Sequence, residues 1–509
     1  MTESRTKSSI RNVIYSTGTY GLTLALAFIT RYIFIKLLST EYLGLNGLFS
    51  NVLSFLALAE LGIGSAMNYT LYKPLKENNI DVLKALMRLY SKVYKFIGVV
   101  IIVLGICVSP FLPFLIKELP QDIDYLQVYF ILYVINSGAS YFYTYKKAMI
   151  ICDQKEYITS VCNFVFSVIL SILQIIILIF TKNYGMYLFV MIVCTLLENV
   201  VMSYIANKLY PYLKEKDVVI LPEEYLKNIK KNILAMFFHK IGNVVVFATD
   251  NIIISKFVGI VSVGLYSNYT MVVNQINTLL GKVFNSLIAS VGNLVLSDDK
   301  KHTEEVLNKV IFANSLLYGF CAICLLELIQ PFIKVWLGTD YLLSNEIILI
   351  VVLNFYISGM RKSVLTFRTA AGLFWEDRYK PVIESILNIL FSIPLAINHG
   401  IIGVLLGTIT STLLVPFWYE AYVLYHYYFQ KSIWGYMYKQ ICYFVKFIIA
   451  EVAVHCLLSS IIVNHVWGFI VRLTLCVFFS GTILIISNIK DKNLKYFFLL
   501  IKDKVILRK

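Results

Sequence analysis

The sequence predicts an all-α polytopic membrane protein of about 14 transmembrane helices. Three observations predict it. Apolar residues make up 59% of the 509 residues and only 15% are charged, against about 25% charged in a soluble domain. Mean hydropathy is +0.74, and the surplus apolar surface must face lipid. The chain also repeats itself. Arg31–Leu45 and Asn251–Leu265 align without a gap at an offset of 220, pairing Ile33 with Ile253, Lys36 with Lys256, Gly44 with Gly264 and Leu45 with Leu265. Each stretch joins the end of one apolar segment to the start of the next, the mark of a transporter built from two related bundles.

A spanning helix needs about 20 mainly apolar residues. On that basis the first half holds spans near Val13–Leu37, Leu43–Leu71, Phe96–Ile116, Leu126–Tyr145, Ile158–Phe180 and Met186–Ala206. The second holds Ile233–Phe257, Val263–Leu296, Val306–Ile333, Ile347–Phe367, Val382–Ile397 and Ile401–Tyr425, followed by a last pair, Phe444–Val463 and Val466–Ile486. Val382–Ile397 is short and could extend either way. The basic N-terminus resembles a signal peptide, but its apolar run continues past Ala27 and its end is duplicated, so it reads as the first span.

Basic residues collect in cytoplasmic loops. With the N-terminus inside, alternation puts most of the 45 Lys and Arg in inside segments, while the outside loops keep Lys36, Lys117, Lys182, Lys256 and Lys334. Both termini are therefore expected in the cytoplasm. The net charge of +15 is mostly an orientation signal, and no nucleic-acid partner is implied. A second match, Tyr143–Lys146 with Leu365–Arg368 at an offset of 222, makes span four the counterpart of span ten. The expected division is 1–208, a first six-helix bundle; 209–231, a cytoplasmic linker; 232–428, a second bundle; and 429–509, an extra helix pair with a basic tail.

An ionisable side chain at mid-bilayer costs roughly 2.5–3.5 kcal/mol, so it usually faces a cavity or a partner. Helical spacing puts Asn354, Ser358, Arg361 and Arg368 on one face of span ten. Span eight carries a stripe through Thr270, Asn274, Asn277, Thr278, Lys282 and Asn285. Span seven aligns His239, Asn243 and Asp250, span two places Glu60 near mid-depth, and span one carries Arg31. These positions predict a water-filled cavity with more fixed cations than anions. Arg offers a planar fork of donors that matches phosphate oxygens, and Lys adds a point charge. The substrate candidates are thus Arg31, Lys282, Arg361, Arg368 and Asn274, and the coupling or ion-pair candidates are Glu60, Asp250 and His239. Other readings stand beside these. Snorkelling explains Arg368 equally well, Glu60 could be a structural partner of Arg31 or Lys282, and His239 could pack at a helix interface. Gly62 and Gly64 are read as allowing close helix approach. The nine Cys are scattered and imply no disulfide framework, and Cys321-x-x-Cys324 lies in an apolar run where packing explains it. There is no Walker A loop, dinucleotide fingerprint, metal-ligand cluster or Ser/His/Asp arrangement. No cofactor and no catalytic residue are expected, and energy must come from a gradient of H+, Na+ or cargo.

Tyr42–Ala66, Leu71–Leu75 (L-Y-K-P-L), Thr249–Ser255 (T-D-N-I-I-I-S) and Val263–Tyr269 (V-G-L-Y-S-N-Y) resemble the Wzx-type polysaccharide-biosynthesis flippases. These belong to the multidrug/oligosaccharidyl-lipid/polysaccharide (MOP) exporter superfamily, with the MATE drug exporters and the lipid II flippases. The resemblance implies two bundles in a V around a central cavity, alternating access, and translocation of an undecaprenyl-pyrophosphate-linked oligosaccharide across a bacterial cytoplasmic membrane. It implies membrane lipids, a glycan polymerase and glycosyltransferases of the same pathway as partners. A MATE-like drug antiporter and the lipid II flippase are the alternatives, and a membrane glycosyltransferase is disfavoured by the short outer loops.

Overall fold

The computed structural model describes residues 5–60, 62–120, 123–215, 248–297, 299–373, 375–461 and 465–506, with the isolated positions 221, 223, 225, 227, 229 and 463. Every regular element among them is helical. Eleven helices among the described residues are long and apolar enough to cross a membrane. One of them, Lys380–Phe429, contains two spans. Gly400 breaks it with φ 60° and ψ −134°. Asn388 then donates to Thr408 (3.0 Å) and Ser392 to the Val404 carbonyl (3.2 Å), so the two arms run antiparallel. Span four is present as two short helices in series, Leu126–Tyr141 and Thr144–Cys152. Most of expected span seven lies outside the described residues, which show only its end, helical over 248–257.

The helices that carry the sites are α1 (Arg5–Leu37), α2 (Thr40–Leu56), α3 (Ile63–Glu77) and α4 (Ile80–Val108). They continue with α5 (Leu126–Tyr141), α6 (Thr144–Cys152), α7 (Glu156–Thr181), α8 (Tyr184–Leu209), α9 (Ile260–Leu296), α10 (Lys300–Trp336), α11 (Asn345–Met360) and α12 (Lys362–Ala370). The last are α13 (Lys380–Leu414), α14 (Pro416–Val423), α15 (Trp434–Leu458), α16 (Val466–Ser487) and α17 (Lys492–Ile506).

The chain forms two compact units, Met1–Gly264 and Leu265–Lys509. The first reaches beyond the expected end of the first bundle because residues 248–264 pack against α2 and its surroundings. Asn51 donates to the Ala248 carbonyl (3.1 Å), and the Lys117 amide donates to the Ser255 carbonyl (3.1 Å). The duplicated glycines explain the repeat locally. A methyl group on Gly44 would overlap the Ile260 carbonyl, and one on Gly264 would meet the Thr40 carbonyl and lie 3.2 Å from the Gly44 amide nitrogen. Thr40 and Ile260 are themselves repeat equivalents at the offset of 220. Each glycine therefore admits the other segment's backbone.

Candidate functional site

In the first unit, expected span two is a broken helix. α2 ends at Leu56, a 3-10 turn covers Ala57–Glu60, and Gly62 adopts φ 72° before α3 begins. That left-handed backbone, not interhelical packing, is what requires Gly62. Glu60 stands at the break. A methyl on Gly64 would lie 2.7 Å from Glu60 Oε1 and 2.9 Å from Tyr94 Oη, so the carboxylate lies over the first turn of α3 beside a phenol. A negative group is stabilised there by the unpaired amides and dipole of the helix N-terminus. Gly64 thus does allow close approach, to its own chain's carboxylate and to α4. Arg31 is half-buried near the end of α1 and has Tyr187 and Tyr133 as electrostatic neighbours. Next to it, Tyr184 donates to Asn46 (2.6 Å), and Tyr184 packs against Tyr42, Tyr129 and Tyr187. Tyr187 thus links the Arg31 guanidinium to this tyrosine cluster. Asp250 is half-buried at the end of span seven. His239 and Asn243 lie outside the described residues.

In the second unit, α9 exposes Asn274, Thr278, Lys282 and Asn285 at steps of four, four and three. Lys282 is four residues, about 6 Å, beyond the midpoint of this helix. An ammonium and three polar side chains stacked along a spanning helix cannot face hydrocarbon at that depth without a large penalty. These four side chains are accessible on one side of α9.

Span ten turns out differently from its expected cavity role. Arg361 donates through Nη2 to Glu420 Oε1 (2.7 Å) and through Nε to Glu420 Oε2 (3.0 Å), a two-pronged pair. Its Nη1 lies 3.9 Å from Glu384 Oε1. Lys380 also pairs with Glu420, and its Nζ is 4.0 Å from Asp377 Oδ2. Arg368 pairs with Asp377. Glu420 is 1% exposed, Asp377 0% and Arg368 6%. Three bases thus face three acids in the interior of the second unit, between α11, α12, α13 and α14. Arg361 and Arg368 are members of this network and do not stand as uncompensated cations, and snorkelling does not describe Arg368.

Sequence reasoning missed Asp377, Lys380, Glu384 and Glu420. One signal was available. Glu420 is the offset-222 counterpart of Glu198, and Glu198 pairs with Lys147 at 2.5 Å in the first unit. Lys146, the counterpart of Arg368, is buried and donates to Ser203 (2.6 Å) and Asn207 (3.0 Å) on the same helix, α8. In both halves a carboxylate on the last span of the bundle takes a base from the fourth span or its sequel.

A family model described as "Polysaccharide biosynthesis protein" matches residues 9–291, more than half of the chain. The chain belongs to this family. Among solved structures it is similar to a lipid II flippase MurJ in an inward closed conformation, with a TM-score of 0.65 and 14% identity over 94% of this chain and 99% of that one. It is also similar to the MATE transporter VcmN of Vibrio cholerae, with a TM-score of 0.59 and 12% identity over 85% of this chain and 100% of that one. A MOP superfamily transporter from Pyrococcus furiosus with a binding pocket of reversed polarity gives a TM-score of 0.54 and 14% identity over 80% of this chain and 92% of that one. These likenesses establish the fold. No curated protein matches the chain. The chain is thus a multi-helix membrane protein of the polysaccharide-biosynthesis family.

Proposed function

We propose that the protein flips an undecaprenyl-pyrophosphate-linked oligosaccharide repeat unit, destined for a capsule, O-unit or other surface polysaccharide, from the inner to the outer leaflet of a bacterial cytoplasmic membrane. Both termini are cytoplasmic in this reading. The observation that carries it is the exposed Asn274–Thr278–Lys282–Asn285 stripe on a spanning helix, in a chain whose family is a polysaccharide-biosynthesis family.

The headgroup enters an inward-open cavity while the polyprenyl tail stays in lipid. Lys282 offsets desolvation of the diphosphate, Asn274 and its neighbours bind sugar hydroxyls, and Arg31 in the first unit is a further candidate base for the cargo. Arg361 and Arg368 support the site indirectly, by holding the second unit together through Glu420 and Asp377. The two bundles then rock to the outward-open state. H+ or Na+ resets the carrier through Glu60 at the break in span two, with Asp250 and His239 as further candidates. The glycan polymerase and the glycosyltransferases of the pathway are its partners. A cation-drug antiporter would favour an acidic site, and Lys282 opposes that.

The test replaces Arg31 and Lys282 with Ala, singly and together, and measures surface glycan at matched protein levels. Each single change should lower export several-fold, and the double change should abolish it. Full export by the double variant rejects the cationic-cargo reading. Altered drug sensitivity in a deletion strain would favour the antiporter, and loss of viability the lipid II flippase.

A further inference from the structure

The last two spans carry an ionisable cluster that this reading leaves unused. Glu327 of α10 is 3% exposed. Its Oε2 accepts from Arg472 Nη2 of α16 at 2.6 Å, and its backbone carbonyl accepts from Arg472 Nε at 3.2 Å. The third guanidinium nitrogen, Nη1, donates to the Ile461 carbonyl at 2.9 Å. His455 Nδ1 of α15 lies 2.7 Å from Glu327 Oε1. Glu451, one turn before His455 on α15, completes the group. One polar atom from each of Glu327, Glu451 and His455 lies within 4.8 Å of the others. Glu451 Oε2 is shielded from solvent and has no hydrogen-bond partner among the described residues.

Charge counting decides what such a cluster holds. With both carboxylates ionised and His455 neutral, Arg472 leaves one negative charge uncompensated inside a spanning region. The other titratable groups on these helices do not supply the missing charge. Lys334 of α10 directs its Nζ to the Val463 carbonyl (3.3 Å), Lys446 of α15 directs its own to Asn488 (2.7 Å), and Cys324 and Cys476 face each other at 4.0 Å. One proton brings the cluster to neutrality. A divalent metal would overshoot to a net positive charge. Two carboxylates this close in low dielectric cannot both stay ionised without such a cation.

We propose that Glu327 and Glu451 share one exchangeable proton, delivered through His455. His455 is the exposed member, with 65% of its side chain accessible. A proton taken up on Nε2 is matched by release of the Nδ1 proton to Glu327 Oε1, which leaves the imidazole neutral in its other tautomer. The proton then settles between the carboxylates. The site joins α10 of the second bundle to the helix pair that stands outside the repeat, so its occupancy sets how firmly that pair is held.

Infrared difference spectroscopy of the purified full-length protein in lipid, stepped from acid to alkaline pH, reads the proton directly. Once the ordinary carboxyls have ionised, the wild type should keep one protonated-carboxyl band that disappears only as pH rises further. In Glu451→Gln, which is isosteric and permanently neutral, that band should be lost, and the thermal midpoint should lose the part of its pH dependence that accompanies the band's disappearance. His455→Gln should keep the band and slow its exchange. An unchanged band in Glu451→Gln overturns the proposal. So does binding of one equivalent of Zn2+ by the wild type that Glu451→Gln abolishes, because the donors would then serve a metal.

Discussion

Glu420 is the residue on which the interior of the second unit depends, because it accepts from Arg361 twice and from Lys380 as well. Removing one partner of a buried pair leaves an uncompensated charge and costs about 3–5 kcal/mol, whereas replacing both with apolar groups of similar volume is often neutral. Glu420→Ala should therefore lower the thermal midpoint in detergent sharply. The pair change Arg361→Met with Glu420→Met should recover much of that loss, although Lys380 then keeps only Asp377 and Glu384 nearby. If Glu420→Ala melted like the wild type, the pair would be incidental. Two of the three bases of this network, Arg361 and Arg368, were legible in the sequence, because they share a helical face. Their neutralisation was not. Spacing along one helix gives a direction but not what stands opposite, and the acids lie on other segments of the chain. Lys380 and Asp377 also fall just outside the apolar window expected for span eleven. Lys282 shows the converse. Its polar neighbours lie on its own helix, so the exposed stripe could be read directly.

At the scale of the element, the spans were legible because hydrocarbon forces each one to be long and apolar, while their interruptions were not. Hydropathy is blind to the sign of φ. Span two therefore reads as one helix, although Gly62 at φ 72° separates α2 from α3, and Gly400 at φ 60° folds the final hairpin of the second bundle. A side chain in left-handed backbone costs roughly 1–2 kcal/mol. Gly62→Ala should straighten or strain the break and displace Glu60. We expect reduced export with near-normal protein levels, measured as surface glycan per molecule. Normal export would mean that the break is not used. The Gly44–Gly264 contact predicts a different outcome. A side chain at either position drives into backbone carbonyl, which cannot swing aside as a side chain can. Gly44→Val and Gly264→Val should each destabilise by about 1–3 kcal/mol or more, read as a lower thermal midpoint. The matched effect is the informative part, since the two glycines occupy equivalent places in the duplication.

For the whole molecule, the duplication and the alternation of charge make one joint prediction about topology. An even number of spans would place both ends of the chain on one side, and the excess of Lys and Arg predicts that this side is the cytoplasm. The described helices fit the count. Eleven apolar spans, one of which doubles back at Gly400, and a fourth span in two pieces account for thirteen of the fourteen, and most of the seventh lies outside the described residues. Orientation is then measurable in a variant from which the nine native Cys have been removed. Single cysteines at Lys182 and Thr339, which follow the fifth and ninth spans, should react in intact cells with a maleimide that cannot cross the membrane. Cysteines at Asn78 and Ser432, which follow the second and twelfth spans, should react only after the membrane is opened. Labelling of Ser432→Cys from outside, with Asn78→Cys protected, would mean an odd number of crossings between them. The second half would then be inverted, and the equivalence of Gly44 with Gly264 and of Glu198 with Glu420 could not arise from two bundles of the same orientation. The opposite result fixes both halves the same way up, which is the arrangement a carrier needs if one rocking motion is to open its two bundles to the same leaflet.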